Sequence, residues 1–253
     1  MKKFAVLAAI VAVASQLPAQ ADDDWGDISG QFVFDGAVPT LDPEIVKGDG
    51  TVKDAEVCAA KDMPAKDLVI DPKTKGIANI FIYVRKTSKI SPALEKSKVK
   101  ELKFDQKNCR FTPHCLFVRT DQKVRVLSAD SIPHNTHTYM ALNESVNFLM
   151  RPNDREGVAL EFEYRESVPM KVKCDIHPHM VAHWLVLDHP YAAVSGKDGK
   201  FTIKGLPAGK NEFRIWHERV GYLNKKFKVD VAGGKMTKLD PLKYKLKDLT
   251  SDD

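Results

Sequence analysis

The 253-residue chain has only four cysteines, Cys58, Cys109, Cys115 and Cys174. It contains no G-x-S-x-G, no H-E-x-x-H and no Gly-rich phosphate loop, so the signatures of serine hydrolases, zinc proteases and nucleotide binders are missing. Beyond its first residues no apolar run approaches the roughly eighteen residues that a transmembrane helix needs. One sign of charge does not dominate: Lys+Arg 39 against Asp+Glu 34 leaves a scattered +5. That excludes a nucleic-acid binder built on a dense basic stripe. Internal repeats and low-complexity tracts are also absent.

What is present reads as β structure. Hydrophobic residues make up 43% of the chain, enough for a packed core and too many for a disordered protein. Fourteen glycines and fourteen prolines, spread along the chain, imply many turns and short strands. Ile28 to Phe34 alternates and ends at Asp35-Gly36, and Ile77 to Val84 reads as a buried strand. Leu94 to Lys103 is charged, a short helix or a loop. Leu116 to Val118 and Val124 to Leu127 read as paired strands around Asp121-Gln122, and Ala159 to Tyr164, Met170 to Cys174 and Trp184 to Leu187 as further strands. After His189-Pro190, turns recur about every ten residues, as in a small β-sandwich. They include a hairpin signal at Gly196-Lys197-Asp198-Gly199.

The first 21 residues are set apart. Lys2 and Lys3 precede an apolar stretch from Phe4 to Ala14, Leu17-Pro18 breaks it, and Ala19-Gln20-Ala21 is a small-x-small cleavage site. This predicts a signal peptide over residues 1–21 and a mature protein that is soluble and periplasmic or otherwise exported. In an oxidising compartment spare thiols pair. With Cys174 set aside for the reason below, Cys58–Cys109, Cys58–Cys115 and Cys109–Cys115 are all open, and Cys58–Cys109 is favoured. Cys115 opens the apolar run Cys115-Leu116-Phe117-Val118 and reads as a buried small hydrophobe.

The chemistry gathers around Cys174. A thiol, an imidazole and a thioether fall together in Cys174-Asp175-Ile176-His177-Pro178-His179-Met180, and Pro133-His134-Asn135 lies forty residues upstream. Two His and one Cys with a weak axial Met form the blue-copper donor set. Zinc has no use for the thioether, and a binuclear copper centre would need a second cysteine in the loop. The expected ligands of one type 1 copper ion are therefore His134, Cys174, His177 and Met180. Of the other histidines, His137 is expected to point to the opposite face from His134. His114 is expected to be structural, and His179 and His183 could share a second metal only on a helix. The several His-x-His pairs of a multicopper oxidase are missing, since only His177-Pro178-His179 is present, so an enzyme is not expected.

At these residues the sequence resembles the cupredoxins, most closely the amicyanin type, through the C-x2-H-P-x-M loop and the run Pro133-His134-Asn135-Thr136-His137. The resemblance covers about Leu116 to Leu187. It implies a Greek-key barrel or sandwich, copper as cofactor and one-electron transfer to a redox protein partner. The wider layout is similar to exported cupredoxin-like proteins of methylamine utilisation, which carry a following carboxypeptidase-regulatory or transthyretin-like β-domain. Here Gly199-Lys200-Phe201-Thr202-Ile203, Leu206-Pro207-Ala208-Gly209 and Trp216-His217-Glu218 carry that likeness.

The expected organisation is all-β: a cupredoxin-like domain over 22–188 with an N-terminal extension, a small β-sandwich over 189–247, and a disordered tail over 248–253. His177 would be the exposed ligand and electron exit, with Ile176, Pro178 and His179 as docking rim and Asn135 and Asp175 supporting the thiolate. His179 would make the potential vary with pH across the histidine range. The alternatives are a copper store or chaperone that does not transfer electrons, and a structural or carbohydrate-binding β-protein.

Overall fold

The computed structural model describes residues 24–250, so the expected signal peptide and residues 251–253 lie outside the described part. Seventeen strands follow in order. They are β1 (Trp25–Phe34), β2 (Phe81–Val84), β3 (Glu101–Gln106), β4 (Phe111–Thr112), β5 (Cys115–Arg119), β6 (Lys123–Ser128), β7 (His134–Thr138), β8 (Asn147–Met150) and β9 (Val158–Leu160). The remainder are β10 (Met170–Lys173), β11 (Val181–Leu187), β12 (Ala192–Val194), β13 (Lys200–Pro207), β14 (Gly209–His217), β15 (Gly221–Val231), β16 (Met236–Lys238) and β17 (Leu242–Tyr244). One four-residue helix, α1 (Ala55–Cys58), precedes β2. Among the described residues no helix is long and apolar enough to cross a membrane.

The strands form four sheets, ordered β4-β3-β6-β9, β5-β11-β10-β7-β8, β12-β2-β14-β15 and β13-β1-β16, with β17 also on β1. Successive strand residues face opposite sides, and the alternation fixes how these sheets stack. In β11, Ala182, Trp184 and Val186 enter one core and Leu185 and Leu187 another. In β2, Phe81 and Tyr83 join that second core and Ile82 and Val84 a third. β11 and β2 are thus buried on both faces, which is why both read as near-continuous apolar runs. The fold is all-β, as expected: one sandwich encloses the core around Trp184, a second encloses the core around Phe32 and Phe213, and the smaller core around Phe81 and Leu185 joins them. In the first core, Phe104 meets Trp184 edge-on, with ring centroids 4.7 Å apart.

The sheets do not divide at residues 188/189. β1 pairs with β13, for example Gln31 with Lys200, and β2 lies between β12 and β14. The expected N-terminal extension therefore supplies two strands to the second sandwich. Two expected hairpins also become crossings. β5 pairs with β11 while β6 pairs with β3 and β9, so the Asp121-Gln122 turn carries the chain from one sheet to the next. The Gly196–Gly199 turn does form, closed by Gly196 N–H to Lys200 O at 3.0 Å. It links β12 and β13, which belong to different sheets. Gly199, at φ 75°, packs so closely that a Cβ would lie 2.2 Å from the Phe32 carbonyl oxygen. Of the charged stretch from Leu94 to Lys103, residues 95–100 are loop and strand β3 begins at Glu101, with Phe104 turned inward and Glu101 and Lys103 outward. Near the C-terminus Leu246–Leu249 forms a 3-10 turn and Leu249 is fully buried in the core around Phe32 and Phe213, in place of disorder from residue 248.

Candidate metal centre

His134 is the first residue of β7, and Cys174 follows β10 directly. The loop after Cys174 doubles back: Cys174 N–H donates to Met180 O at 3.0 Å and Met180 N–H to His177 O at 2.9 Å. His177 and Met180 are thereby brought beside Cys174 before β11 begins. His134, Cys174 and Met180 are 0% exposed and His177 1%. One donor atom from each of His134, Cys174 and His177 lies within 4.8 Å of the others. The His134 and His177 Nδ1 atoms are 3.0 Å apart, and Cys174 Sγ is 3.9 Å from the latter.

Both imidazoles are held from behind. His134 Nε2 lies 2.9 Å from Asp130 Oδ2, and His177 Nε2 lies 2.8 Å from Asp54 Oδ2. A carboxylate only accepts, so each Nε2 carries a proton and each ring turns its Nδ1 edge inward. Asp130 is fixed in turn by the N–H groups of Asn108 and Cys109 at 2.5 and 2.8 Å. Asp54 sits in the left-handed region at φ 54°, just before α1, and makes no side-chain cap to that helix; its carboxylate goes to His177 instead. Cys58 at the end of α1 is joined to Cys109 by a disulfide, the favoured pairing. The bridge therefore ties together the supports of both histidines.

Asn135 secures the thiol. Its N–H donates to Cys174 Sγ at 3.4 Å, and its Oδ1 accepts from Asp175 N–H at 2.6 Å and Ile176 N–H at 3.3 Å. Burial opposes the Cys174 thiolate, but hydrogen bonds from His134, His177 and Asn135 N–H outweigh it and bring the pKa down to about 6. Burial likewise opposes the charged form of His134, yet Asp130 and Cys174 raise its pKa to about 9. Two inward lone pairs and a thiolate repel one another unless a cation lies among them. A proton on His134 serves at neutral pH, and a soft transition ion bound by the same three donors would displace it.

Asp175 does not face the thiolate. Its carboxylate accepts from His137 at 2.8 Å and from Asn135 and Asn147, each at 3.0 Å. His137 is accordingly on the opposite side from His134, as its spacing predicts. His177 is not the exposed ligand: Asp54 covers its Nε2 edge. Of the expected rim, Pro178 is exposed and Ile176 and His179 are half-buried. Burial, reinforced by Lys66, pushes the His179 pKa down to about 4, so His179 stays neutral across the range in which it was expected to titrate. Sequence reasoning missed Asp54 and Asp130. Asp130 lies four residues before His134, a spacing that could have flagged it, whereas nothing local marks Asp54.

No protein-family model matches the chain, and no curated protein matches it in sequence. Among solved structures it overlaps a copper-containing nitrite reductase from Thermus scotoductus SA-01 at 14% identity and TM-score 0.30, over 34% of this chain and 22% of that one. It overlaps a reduced tryptophan-to-tyrosine variant of amicyanin at 18% identity and TM-score 0.30, over 42% and 97%. Amicyanin from Paracoccus versutus overlaps at 15% identity and TM-score 0.29, over 42% and 96%. Such low scores carry no weight for this chain, and the centre stands on its own geometry: a buried two-histidine, one-cysteine site in a β-sandwich.

Proposed function

We propose that this protein is a one-electron carrier of the cupredoxin kind, in which a single type 1 copper ion would be held by His134, Cys174 and His177, with the Met180 thioether as a weaker fourth donor. The observation that carries this reading is the convergence of two carboxylate-backed Nδ1 atoms, 3.0 Å apart, with a thiol whose pKa is lowered to about 6. Thiolate, imidazole and thioether together select copper over zinc and over hard cations. Bound copper supplies a Cu(II)/Cu(I) couple. The protein supplies a dry, fixed cage: Asp130 and Asp54 hold the rings, Asn135 pins the Cys174 loop, and the fully buried donors exclude water.

That enclosure favours a carrier over a store or chaperone, because a donor of metal needs a thiol that a recipient can reach. With His177 covered, the half-exposed Asp54 becomes the surface end of the His177 contact. The docking rim for a redox protein partner is then Asp54 with Ile176, Pro178 and His179. Export to the periplasm, after cleavage behind Ala21, agrees with the disulfide, since such bonds persist in oxidising compartments.

The test is to add one equivalent of Cu(II) to the purified mature protein and record its visible spectrum through repeated reduction and reoxidation. An intense thiolate-to-copper band that is lost in Cys174→Ala and survives cycling without loss of copper is expected. Copper bound without colour, or released on reduction, would move the reading to storage or delivery.

A further inference from the structure

A second cluster of donors lies on the other face of β11. His183 is flanked by Ala182 and Trp184, which enter the first core; its own side chain points the opposite way, against Trp216 at 5.1 Å between ring centroids. His183 pairs with Cys115 across the parallel β5–β11 ladder, and its N–H donates to His114 O at 2.9 Å. One donor atom each from His114, Cys115 and His183 lies within 4.8 Å of the others. Glu218, just after β14, comes in from the second sandwich. One carboxylate oxygen contacts His114 Nε2, and the other is 3.8 Å from His183 Nδ1, too far for a hydrogen bond.

Three of these side chains, His114, His183 and Glu218, are at least nine-tenths buried, with 10%, 8% and 10% exposure. Nδ1 of His114 and Nδ1 of His183 are buried without any hydrogen-bond partner. Buried polar atoms are normally satisfied, and two orphaned ring nitrogens beside a carboxylate and a thiol need an explanation. His183 and Glu218 also line an open cavity of about 500 Å³ walled by Lys66, Asp67, Lys171 and Arg219, which gives the cluster a route to solvent.

We propose that His114, Cys115 and His183 form a second metal site, for a zinc-class divalent transition ion, at the junction of the two sandwiches, with Glu218 backing the His114 ring from its Nε2 edge. Two imidazoles and one thiolate make a three-donor set of the kind that zinc accepts with a fourth position left for solvent. Both rings offer lone pairs. Burial, against a smaller opposing effect of Glu218, keeps the His183 pKa at about 4, so this ring is neutral and ready to ligate. The Cys115 thiol is held protonated by burial and by Glu218. Binding therefore exchanges the thiol proton, released to solvent, for a sulfur–metal bond, and uptake is tighter at higher pH. Glu218, reaching in from the second sandwich, would tie that sandwich to the site through His114. This site shares no donor with the copper reading and stands whether or not that reading does.

The experiment uses the full mature chain and Zn(II) against a chromophoric chelator. Wild type is expected to bind one more equivalent than either His183→Gln or His114→Gln, and its melting temperature is expected to rise with zinc. Equal zinc stoichiometry in wild type and both variants overturns the site. Because His183→Gln could misfold, Co(II) is added separately to Cys174→Ser. There, with Cys58 and Cys109 in the disulfide, Cys115 is the one thiol left. A near-ultraviolet thiolate-to-cobalt band, absent from Cys174→Ser/Cys115→Ser, is expected. Cobalt bound without that band overturns the assignment of Cys115 as a donor.

Discussion

Cys174 and Cys115 lie on opposite sides of one five-stranded sheet, both shielded from solvent and both near two imidazoles, yet their thiols are driven in opposite directions. Cys115 is pushed well above the ordinary thiol range by burial and by the Glu218 carboxylate. Cys174 is buried too, but His134, His177 and a backbone N–H bring it down to about 6. Burial alone therefore does not decide the state of a thiol; what decides is the charge and polarity of the groups facing it. On the Cys174 side both imidazoles have carboxylates behind them, in Asp130 and Asp54. On the Cys115 side a single carboxylate, Glu218, backs His114, and its second oxygen lies 3.8 Å from His183 Nδ1. The first arrangement is preset for a soft metal, whereas the second must lose a thiol proton before it can bind one.

The contrast can be broken most severely through the disulfide, because Cys58 and Cys109 fasten the supports of Asp54 and Asp130. The bridge spans 51 residues, and by the chain-entropy relation a loop of that length is worth about 4 kcal/mol. Urea unfolding of Cys58→Ser/Cys109→Ser is expected to show a loss of that order, together with weaker copper retention. An unchanged midpoint would mean that the α1 segment is held by packing alone. A smaller effect is expected from Asp130→Asn, which leaves the fold but loosens the His134 ring. Loss of such an outer partner weakens metal binding by about 10–100-fold, measurable by chelator competition. Asp54→Asn is expected to cost less, since the Asp54 side chain is 30% exposed. Equal losses would show that the two histidines depend equally on their carboxylates. The finest test follows thiolate absorbance near 240 nm in chelator-treated protein. One thiol is expected to ionise with a midpoint near pH 6 and to vanish in Cys174→Ala, with Cys115 silent until far higher pH. Two thiols titrating together would dissolve the contrast.

Much of the first site was legible because its parts are local. Cys174, His177 and Met180 lie within one loop, and His134 carries the same Pro-His-Asn context in sequence that it shows in space. All-β character was legible from alternation and turn spacing, and the presence of one disulfide from the count of cysteines left once Cys174 was set aside, although the count left three pairings open. What stayed hidden depends on pairings between distant segments. Asp54 reaches His177 from an irregular polar stretch, and no periodicity points from one to the other. β3 is masked by Glu101 and Lys103, which sit on the outward face of a strand that buries Phe104. The membership of β1 and β2 was hidden for the same reason: a strand's sequence reports how deeply it is buried, not which strand it lies beside.

The pairing of β1 with β13 and of β2 with β14 also sets an order of events along the chain. The second sandwich cannot close until β13 and β14 have been made, so its first two strands exist as unpaired apolar segments while the whole metal-site sandwich is being synthesised between them. Contacts that join such distant segments close late and slowly. For the same reason the metal-site sandwich is not separable by cutting the chain after residue 188. A fragment ending there keeps β1 and β2 but loses every strand that pairs with them, β12, β13, β14, β16 and β17, and what is left is a pair of sticky edges rather than a smaller folded unit.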